Sequence, residues 1–442
     1  MKIDSGDTAW LLASAALVLF MTPGLAFFYG GMVRSKNVLA MLMQNYVTIG
    51  LVSVVWAVVS YSLAFGADIG GGLLGGLHFA GLAHQGDAVP GLDTLTVPPL
   101  AFVAFQMMFA IITPALITGA LADRVKFGGF VLFVALWSVF VYAPVAHWVF
   151  SPTGWLNKLG ALDYAGGTVV HANAGAAALA VVLVIGKRRG WPREQMKPHS
   201  LPLTLLGAAI LWFGWFGFNA GSALAANGSA AQAFVSTQLA TAAALLAWIA
   251  VEKLRNGHST TLGAASGAVA GLVAITPACG SVSSMGAILV GLAAGAVCAL
   301  AVSLKFKFGF DDALDVVGVH LVGGMLGALL IGFLADGAVA GAKHKGLFYG
   351  GGFAQLGKQA LVVVVVVAYS FVVSYILAKI VQATIGFRAT DEEEVEGLDS
   401  SYHAETAYEL GSSFTGAFSP AAPRHSELAT ADSGGGARKV EA

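Results

Sequence analysis

The stretch that decides the fold is Asp163-Tyr-Ala-Gly-Gly-Thr-Val-Val-His171-Ala-Asn-Ala-Gly-Ala-Ala-Ala-Leu-Ala-Val-Val182. It is apolar enough to belong to a membrane-spanning helix, yet it contains a histidine. A second stretch, Asp315-Val-Val-Gly-Val-His320-Leu-Val-Gly-Gly324, repeats the order of an acid, a histidine and small residues. An ionisable side chain is costly inside a bilayer and is by default a functional candidate. His171 and His320 are therefore the first candidates for a functional site.

The composition excludes a water-soluble globule. Of the 442 residues, 57% are hydrophobic, only 11% are charged, and 57 residues are glycine. The formal net charge of -1 gives no indication of a nucleic-acid partner. Cys279 and Cys298 lie in or beside apolar segments, which argues against a disulfide framework or a thiolate metal site. The chain is predicted to be an all-α polytopic membrane protein whose first apolar segment is retained.

Eleven transmembrane helices are predicted when about 20 apolar residues are taken for each crossing. They lie near 8–30, 38–65, 98–122, 128–150, 166–186, 201–223, 232–252, 260–277, 283–304, 315–335 and 355–386. Together they form a transmembrane domain over residues 1–387. The acidic segment 388–410 is predicted to be a cytoplasmic regulatory tail. Residues 411–442, a mixture of Ser, Ala, Gly and Pro, are predicted to be a disordered extension.

The basic residues predict the orientation of the chain. If the N-terminus is outside, the inner connections hold Arg34, Lys36, Arg124, Lys126, Lys187, Arg188, Arg189, Arg193, Lys197, Lys253, Arg255, Lys305 and Lys307. The outer side then keeps only Lys2, Lys158, Lys343, Lys345 and Lys358. The positive-inside rule therefore predicts N-out and C-in. The outer connection 68–99 has acidic residues and no Lys or Arg, which favours a cation at that surface.

Two motifs recur about halfway along the chain. Ile112-Thr113-Pro114 in the third span is echoed by Ile275-Thr276-Pro277 in the eighth, and His171 in the fifth span is echoed by His320 in the tenth. Because each half has an odd number of spans, the halves cross the bilayer in opposite directions. The sequence thus predicts an inverted repeat of five plus five helices, with an extra C-terminal helix and a functional site near the midplane.

Each candidate residue also has a purely structural explanation. A neutral histidine can simply bridge two helices. A metal centre would need further ligands, and Asp163 and Asp315 lie about 12 and 7.5 Å along a helix from their histidines, too far for a shared site.

Phe105 and Phe109 share one face of the third span and either stack across a passage or face lipid. Trp215 belongs either to a cation-binding surface or to an interfacial aromatic belt.

Several ordered blocks resemble the signature blocks of the ammonium transporter (Amt) branch of the Amt/Rh family. They are Phe28–Asn37, Gly119–Arg124, Asp163–His171, Gly214–Ser222, Ile275–Gly280 and Asp315–His320. The resemblance extends from the first span to about Tyr408, and the phenylalanine pair is closer to Amt than to the Rhesus branch. It implies a multi-pass homotrimer of the plasma or inner membrane with one pore in each subunit. It implies transport rather than enzymatic activity, without a cofactor or a metal.

The resemblance also implies roles for individual residues. The residues implied to line the pore are His171, His320, Trp215 and Thr276. The residues implied to form a stacked gate are Phe109 and Phe218. The residues implied to recruit the cation on the outer side are Phe105, Phe109, Phe150, Ser222 and Asp163.

One position departs from the family pattern. Where the family usually has a tryptophan at the outer end of the fourth span, this chain reads His147-Trp148-Val149-Phe150-Ser151-Pro152. Phe150 is the predicted equivalent, and Trp148 is the alternative. Phenylalanine is a weaker cation–π partner than tryptophan, so we expect weaker recruitment of the cation.

Ammonium and potassium have the same charge and nearly the same size, but only ammonium can lose a proton. Deprotonation at pH 7 costs on the order of 3 kcal/mol, whereas carrying the charge through hydrocarbon costs as much or several times more. The prediction is that ammonium, and also methylammonium, is recruited as a cation and conducted as the neutral amine. His171 and His320 would bind the neutral species, and separate proton transfer is left open.

Two alternatives remain open from the sequence. The segment 388–410 resembles the family's regulatory tail, which implies packing under a neighbouring subunit and a PII-type signalling protein as partner. Its composition alone favours a solvated acidic linker. For the protein as a whole, the alternative is an ammonium sensor that signals through this tail. An intramembrane metallohydrolase would need a further ligand or nucleophile, and the spans offer neither.

Overall fold

In the computed structural model, the described residues are 2–339, 341 and 344–408. The predicted disordered extension 411–442 lies outside them. The described part of the chain contains isolated β-bridges and no strand, which confirms the all-α class. The main helices are α1 Ser5–Met32, α2 Ser35–Phe65, α3 Pro99–Leu121, α4 Phe127–Leu159, α5 Gly167–Ile185, α6 Leu201–Gly221, α7 Gly228–Asn256, α8 Thr261–Ile275, α9 Ser284–Phe308, α10 Val317–Leu334 and α11 Ala354–Thr384.

Helix α8 is shorter than the predicted eighth span. Ten of the helices within the described ranges are long and apolar enough to cross a membrane, and α8 has only 15 residues. At 1.5 Å per residue it is about 22 Å long, less than the roughly 30 Å of a hydrocarbon core. It ends at Ile275, and Pro277 two residues later has no N–H to continue a helix. The irregular segment that follows is buried from Thr276 to Cys279, where protein rather than lipid surrounds the backbone.

The two halves of the chain are held together by pairs of equivalent helices. The most extensive packing joins α1, the first helix of one half, to α6, the first helix of the other. The fifth helices of the halves, α5 and α10, cross in the same way. Helix α11 packs against both α5 and α10. This pairing of equivalent helices is the arrangement that an inverted repeat produces.

Glycine permits the close approach of these pairs. A Cβ at Gly207 in α6 would overlap the backbone of Phe28 in α1. A Cβ at Gly175 in α5 would overlap the backbone of Leu321 in α10, and one at Gly324 would lie 2.6 Å from the carbonyl oxygen of Gly167. Small residues of this kind let helix backbones touch in a membrane. They bring α5 and α10 into contact at the level of His171 and His320.

Both histidines lie in turns of π-helix. The π turn of α5 spans Gly167–Ala172 and that of α10 spans Val317–Leu321. Two further π turns interrupt α2 at Trp56–Ser60 and α4 at Ser138–Tyr142. Because π turns are rare and occur frequently at functional sites, the matching pair in α5 and α10 supports a shared role for the two histidines.

The N-terminus and the C-terminal tail lie on opposite faces of the bundle. Asp4 donates its N–H to Thr96 (2.7 Å), and Asp7 accepts the N–H of Ala226 (2.7 Å), so the loops α2–α3 and α6–α7 share what we call the N-terminal face. Ala389 donates its N–H to the carbonyl of Arg124 (3.0 Å) on what we call the C-terminal face.

The segment after α11 is folded rather than extended into solvent. It forms the short helices α12 Asp391–Glu396 and α13 Leu398–His403. Thr390 and Glu393 make a capping box at the start of α12. The side chains of Glu394, Leu398 and Asp399 are buried. The interpretation of this part of the tail as a solvated acidic linker is therefore wrong, because these residues pack against the C-terminal face of the same chain.

Candidate functional site

A cavity of about 140 Å³ opens beneath the N-terminal face, between the outer ends of α3, α4 and α6. Its lining residues are Leu92, Phe102, Gln106, Phe109, Val149, Phe150, Asn157, Asp163, Tyr164, Ser222 and Leu224. The lining therefore combines aromatic faces with a carboxylate, a hydroxyl and carboxamide groups. We call this space the outer cavity.

Ser222 and Asp163 present oxygen atoms to the outer cavity in different ways. The hydroxyl of Ser222 donates to the carbonyl oxygen of Phe218 (2.9 Å), so its oxygen is left to accept a hydrogen bond from a donor in the cavity. The carboxylate of Asp163 is directed to its own helix. It accepts the N–H groups of Gly166 (2.8 Å), Gly167 (2.7 Å) and Thr168 (2.8 Å), and the Thr168 hydroxyl. Asp163 thus shapes one wall of the cavity by holding the start of α5 in place.

Phe150 rather than Trp148 lines the outer cavity. The ring of Phe150 meets that of Phe109 edge to face, with centroids 6.2 Å apart. The Trp148 ring instead packs on Tyr369 (4.6 Å), and its Nε1 donates to the carbonyl oxygen of Leu73 (2.7 Å). Of the two residues considered for the aromatic position, Phe150 is therefore the one that borders this cavity.

Phe109 lines the outer cavity, and the ring of Phe218 packs against it on the side of the inner histidines. Their ring centroids lie 4.2 Å apart at an interplanar angle of 32°, and both side chains are fully buried. Phe105, which was expected in the recruitment group, is not among the lining residues. One turn earlier on α3, its ring packs edge-on against Phe109 (4.9 Å) and next to Gly221. The Phe105 ring thus contacts the Phe109 ring from the side, and its role in recruiting the cation stays a prediction.

A second, much smaller cavity of about 10 Å³ lies on the other side of the Phe218 ring. This inner cavity is lined by Met21, Leu25, Ile112, Leu116, His171, Leu211, Trp215, Phe218, Val269 and His320. The volume suffices for about one water-sized molecule. Apart from the two imidazoles and the indole of Trp215, its walls are hydrocarbon and aromatic rings.

The two histidines are in direct contact. Nδ1 of His320 and Nδ1 of His171 are 3.3 Å apart, and the ring centroids are 5.4 Å apart at 24°. A hydrogen bond between these nitrogens needs one donor and one acceptor, so two neutral rings would carry different tautomers. Nε2 of His171 is buried and has no hydrogen-bond partner among the described residues. That nitrogen is a polar group to which a small molecule in the inner cavity could bind.

Trp215 positions His171, and Thr276 positions Trp215. The indole lies flat against the His171 ring, with centroids 5.2 Å apart at 19°. Its Nε1 donates to the Thr276 hydroxyl (2.8 Å), which in turn donates to the carbonyl oxygen of Leu272 (2.7 Å). Thr276 lines neither cavity, and its predicted place along the pore stays a prediction. The Thr276 hydroxyl therefore both accepts and donates a hydrogen bond within the protein. It lies directly after the end of helix α8, next to Pro277.

The acid that corresponds to Asp163 in the second half is Asp312, not Asp315. Asp312 accepts the N–H groups of Val316 (3.0 Å) and Val317 (2.7 Å), which is the capping role that Asp163 has in α5. Asp315 instead pairs with Lys305 (2.6 Å). Burial, together with the neighbouring Asp315 carboxylate, raises the pKa of Asp312 to about 6. Both capping acids precede their histidine by the same number of residues, a spacing that the comparison with Asp315 overlooked.

Several polar residues of the outer cavity were not among the predicted site residues. Gln106 lies between the two phenylalanines of α3, and its buried Oε1 has no hydrogen-bond partner among the described residues. The Tyr164 hydroxyl is also buried and unpartnered within the described part of the chain. A glutamine inside an apolar span was the available signal, because such a group is costly unless it meets a polar partner. Tyr164 and Asn157 gave no comparable signal, since both lie outside the apolar runs.

Comparisons with known proteins agree on one family. The model of the Ammonium Transporter Family matches residues 9–408. An ammonium transporter of Mycobacterium tuberculosis (strain H37Rv) is 56% identical to this chain, and the match covers 92% of this chain and 91% of the relative. An ammonium transporter of Bacillus subtilis is 48% identical, with 92% of this chain and 99% of the relative covered.

Solved structures of the same fold are similar over most of the chain. Mep2 of Saccharomyces cerevisiae superimposes with a TM-score of 0.82 at 35% identity, and the match covers 89% of each chain. A structure titled Sensor Amt Protein superimposes with a TM-score of 0.82 at 29% identity, covering 90% of this chain and 98% of the other.

Proposed function

Because the chain belongs to the ammonium transporter family, a family of multi-pass membrane proteins, we propose that it recruits NH4+ in the outer cavity and conducts NH3 through the inner one. The observation that supports this proposal is the difference between two cavities separated by Phe109 and Phe218. The outer cavity offers aromatic faces and oxygen acceptors, and the inner one offers hydrocarbon and two imidazoles.

The outer cavity suits a cation that can donate hydrogen bonds. The Ser222 hydroxyl and the free Oε1 of Gln106 are acceptors, and the faces of Phe109 and Phe150 attract positive charge. Potassium would share the ring contacts but has no N–H to donate. The Asp163 carboxylate is already occupied by donors of its own helix, so it contributes negative potential rather than a direct ligand.

The inner cavity suits the neutral molecule. Its walls would leave a bare cation without compensation, at a cost of several kcal/mol, whereas deprotonation of ammonium costs on the order of 3 kcal/mol at pH 7. The free Nε2 of His171 can exchange a hydrogen bond with ammonia. The contact between the two Nδ1 atoms gives a proton a route between the rings, because imidazole both donates and accepts.

Further proposals concern orientation and assembly. Arg34, Arg124 and Arg188 lie on the C-terminal face with the tail, which supports N-out and C-in by the positive-inside rule. The family resemblance supports a homotrimer and a PII-type signalling protein at the C-terminal face. An apolar groove of about 360 Å³ between Trp10 and Phe234 on the N-terminal face is available for contact with a second subunit.

The transport proposal is tested in liposomes that contain the full chain. Gradients of ammonium, methylammonium and potassium are imposed, and current and internal pH are recorded. We expect a response to the first two and none to potassium. An equal response to all three would instead identify a general cation channel.

His320→Ala tests the role of the histidine pair, with the exposed His258→Ala as matched control. We expect His320→Ala to reduce ammonium flux or to admit potassium, because the inner cavity loses one of its two imidazoles. The control should behave as the parent protein. Unchanged flux and unchanged selectivity in His320→Ala would contradict the proposed role.

A second candidate function is ammonium sensing, because one similar structure is titled as a sensor. A sensor would bind ammonium in the outer cavity without appreciable flux. The same liposome measurements, combined with ammonium binding to the purified protein, distinguish the two functions. Saturable binding without current or pH change would favour the sensor.

A further inference from the structure

The loop between α2 and α3 brings His78, His84 and Asp87 together on the N-terminal face. Nε2 of His78 is 2.9 Å from Oδ2 of Asp87, and the His78 and His84 rings stack with centroids 4.4 Å apart at 13°. One ligand atom from each of the three residues lies within 4.8 Å of the other two. In the described ranges this is the one group of three or more His, Cys, Asp or Glu side chains with such spacing.

The segment that carries these side chains is anchored close to two of them. Phe79, next to His78, is buried and donates its N–H to the hydroxyl of Ser62 (2.9 Å). Val89, two residues after Asp87, is also buried. Between these anchors, the N–H of Asp87 is bonded to the carbonyl oxygen of His84 (2.9 Å), which closes a turn. The side chains themselves are exposed and free to adjust, while the backbone keeps them adjacent.

We propose that His78, His84 and Asp87 bind a divalent transition-metal ion, for which Zn²⁺ is the best match. Two imidazoles and one carboxylate are a ligand set that zinc accepts, with water in the fourth position. Calcium and magnesium prefer oxygen ligands alone and are disfavoured by the two imidazoles. The site lies outside the proposed transport pathway and does not depend on the transport mechanism.

The distances fit such an ion once the His78 and His84 rings rotate out of their stacked arrangement, so that the nitrogen lone pairs of both rings converge. Zinc–ligand bonds of about 2.0–2.2 Å in a tetrahedron place ligand atoms about 3.3–3.6 Å apart. The pair formed by His78 and Asp87 at 2.9 Å would open slightly, and the His84 nitrogen would approach from at most 4.8 Å. A bound ion would also brace the loop that contributes Leu92 to the lining of the outer cavity.

Zinc binding to the purified full chain, with any affinity tag removed, tests the proposal. Metal content is measured after equilibrium dialysis against Zn²⁺, and affinity by competition with a chromophoric chelator. The variants are His78→Gln, His84→Asn and Asp87→Asn. Asn at position 84 suits the left-handed backbone there (φ 53°). The matched control is His258→Asn, which removes an exposed histidine elsewhere on the chain.

We expect one zinc ion per chain at this site and at least a tenfold weaker affinity in each loop variant, with no change in the control. Magnesium should not compete. Ammonium flux without zinc should be the same in all variants, which shows that they are folded. If the parent protein retains no zinc, or if a variant that combines His78→Gln, His84→Asn and Asp87→Asn binds zinc with unchanged stoichiometry and affinity, the site does not exist.

Discussion

Phe150 is the residue at which this chain departs from the usual family pattern, and the cavity geometry makes its effect measurable. Its ring lines the outer cavity beside Phe109. Indole is the strongest of the aromatic cation–π partners. Replacing Phe150 by tryptophan should therefore strengthen the hold on the cation without altering the inner cavity.

We predict that Phe150→Trp lowers the KM for ammonium about two- to fivefold, the equivalent of about 0.5–1 kcal/mol of cation–π attraction. The measurement is the concentration dependence of ammonium flux in liposomes. Phe140→Trp is the control, since Phe140 is an exposed residue of α4 that does not line the cavity. An unchanged or raised KM in Phe150→Trp would show that the ring at this position does not contact the cation.

Thr276 was predicted to line the pore, and its side chain contacts Trp215 rather than either cavity. Its hydroxyl accepts the indole N–H of Trp215, and that indole lies against His171. The sequence motif that contains Thr276 carries no information on which side of the tryptophan the hydroxyl lies. To place the hydroxyl on one side of Trp215, one must know how α6 and α8 are rotated relative to each other.

At the scale of the elements, the crossing of α5 and α10 decides whether the two histidines meet. Each helix is preceded by an acid that accepts an N–H group of its first turn, passes through a π turn that carries the histidine, and then presents glycine to its partner. The capping acids hold the first turns in place, and the glycines set the distance between the backbones. The contact between His171 and His320 therefore depends on how both helices begin and on the close approach of their backbones.

We predict that Gly175→Leu destabilises the protein by about 1–3 kcal/mol and reduces ammonium flux, because the new side chain would overlap the Leu321 backbone and push α10 away. Thermal unfolding and liposome flux measure the two effects. Gly50→Leu in α2 is the control, because a Cβ at Gly50 meets no atom within 4 Å. Equal stability and flux in the two variants would contradict the close crossing.

At the scale of the whole molecule, the tail connects distant parts of the C-terminal face. The Asp399 carboxylate accepts the N–H groups of Leu39 (3.0 Å) and Ala40 (2.7 Å) at the start of α2. Glu394 accepts the N–H of Arg189 (2.7 Å) and pairs with Arg388 (3.0 Å). These contacts tie α2, the α5–α6 loop and the end of α11 together, so a partner that displaces the tail would act on several helices at once.

Asp399→Ala should release the tail, because it leaves the buried N–H of Ala40 and the partly buried N–H of Leu39 without an acceptor, at a cost of about 1–3 kcal/mol. We expect a protease to cleave the segment that follows Arg388 faster, and we expect the protein to unfold at a lower temperature. The exposed Glu405→Ala serves as control. A chain that ends at Arg388 extends the test, since full activity without the tail would remove any coupling between tail and transport. Proteolysis of Asp399→Ala at the parental rate would contradict the docking contacts.

The amino-acid sequence by itself determined the membrane class, the repeat and the identity of the two histidines. These features are local: a span is recognised by its own apolar length, since a backbone in lipid must satisfy its hydrogen bonds within the helix. An ionisable residue in a span is conspicuous for the same reason. The family blocks were readable as well, because each is a continuous run of residues.

Only the tertiary structure decided which atoms meet. It placed Phe150 rather than Trp148 in the outer cavity, Asp312 rather than Asp315 at the helix start, Thr276 behind Trp215, and the tail against α2. It also showed that α8 is shorter than the predicted eighth span. The physical reason is that these contacts join residues far apart in the chain. They depend on the depth and rotation of packed helices, which the apolar pattern of a single span leaves undetermined.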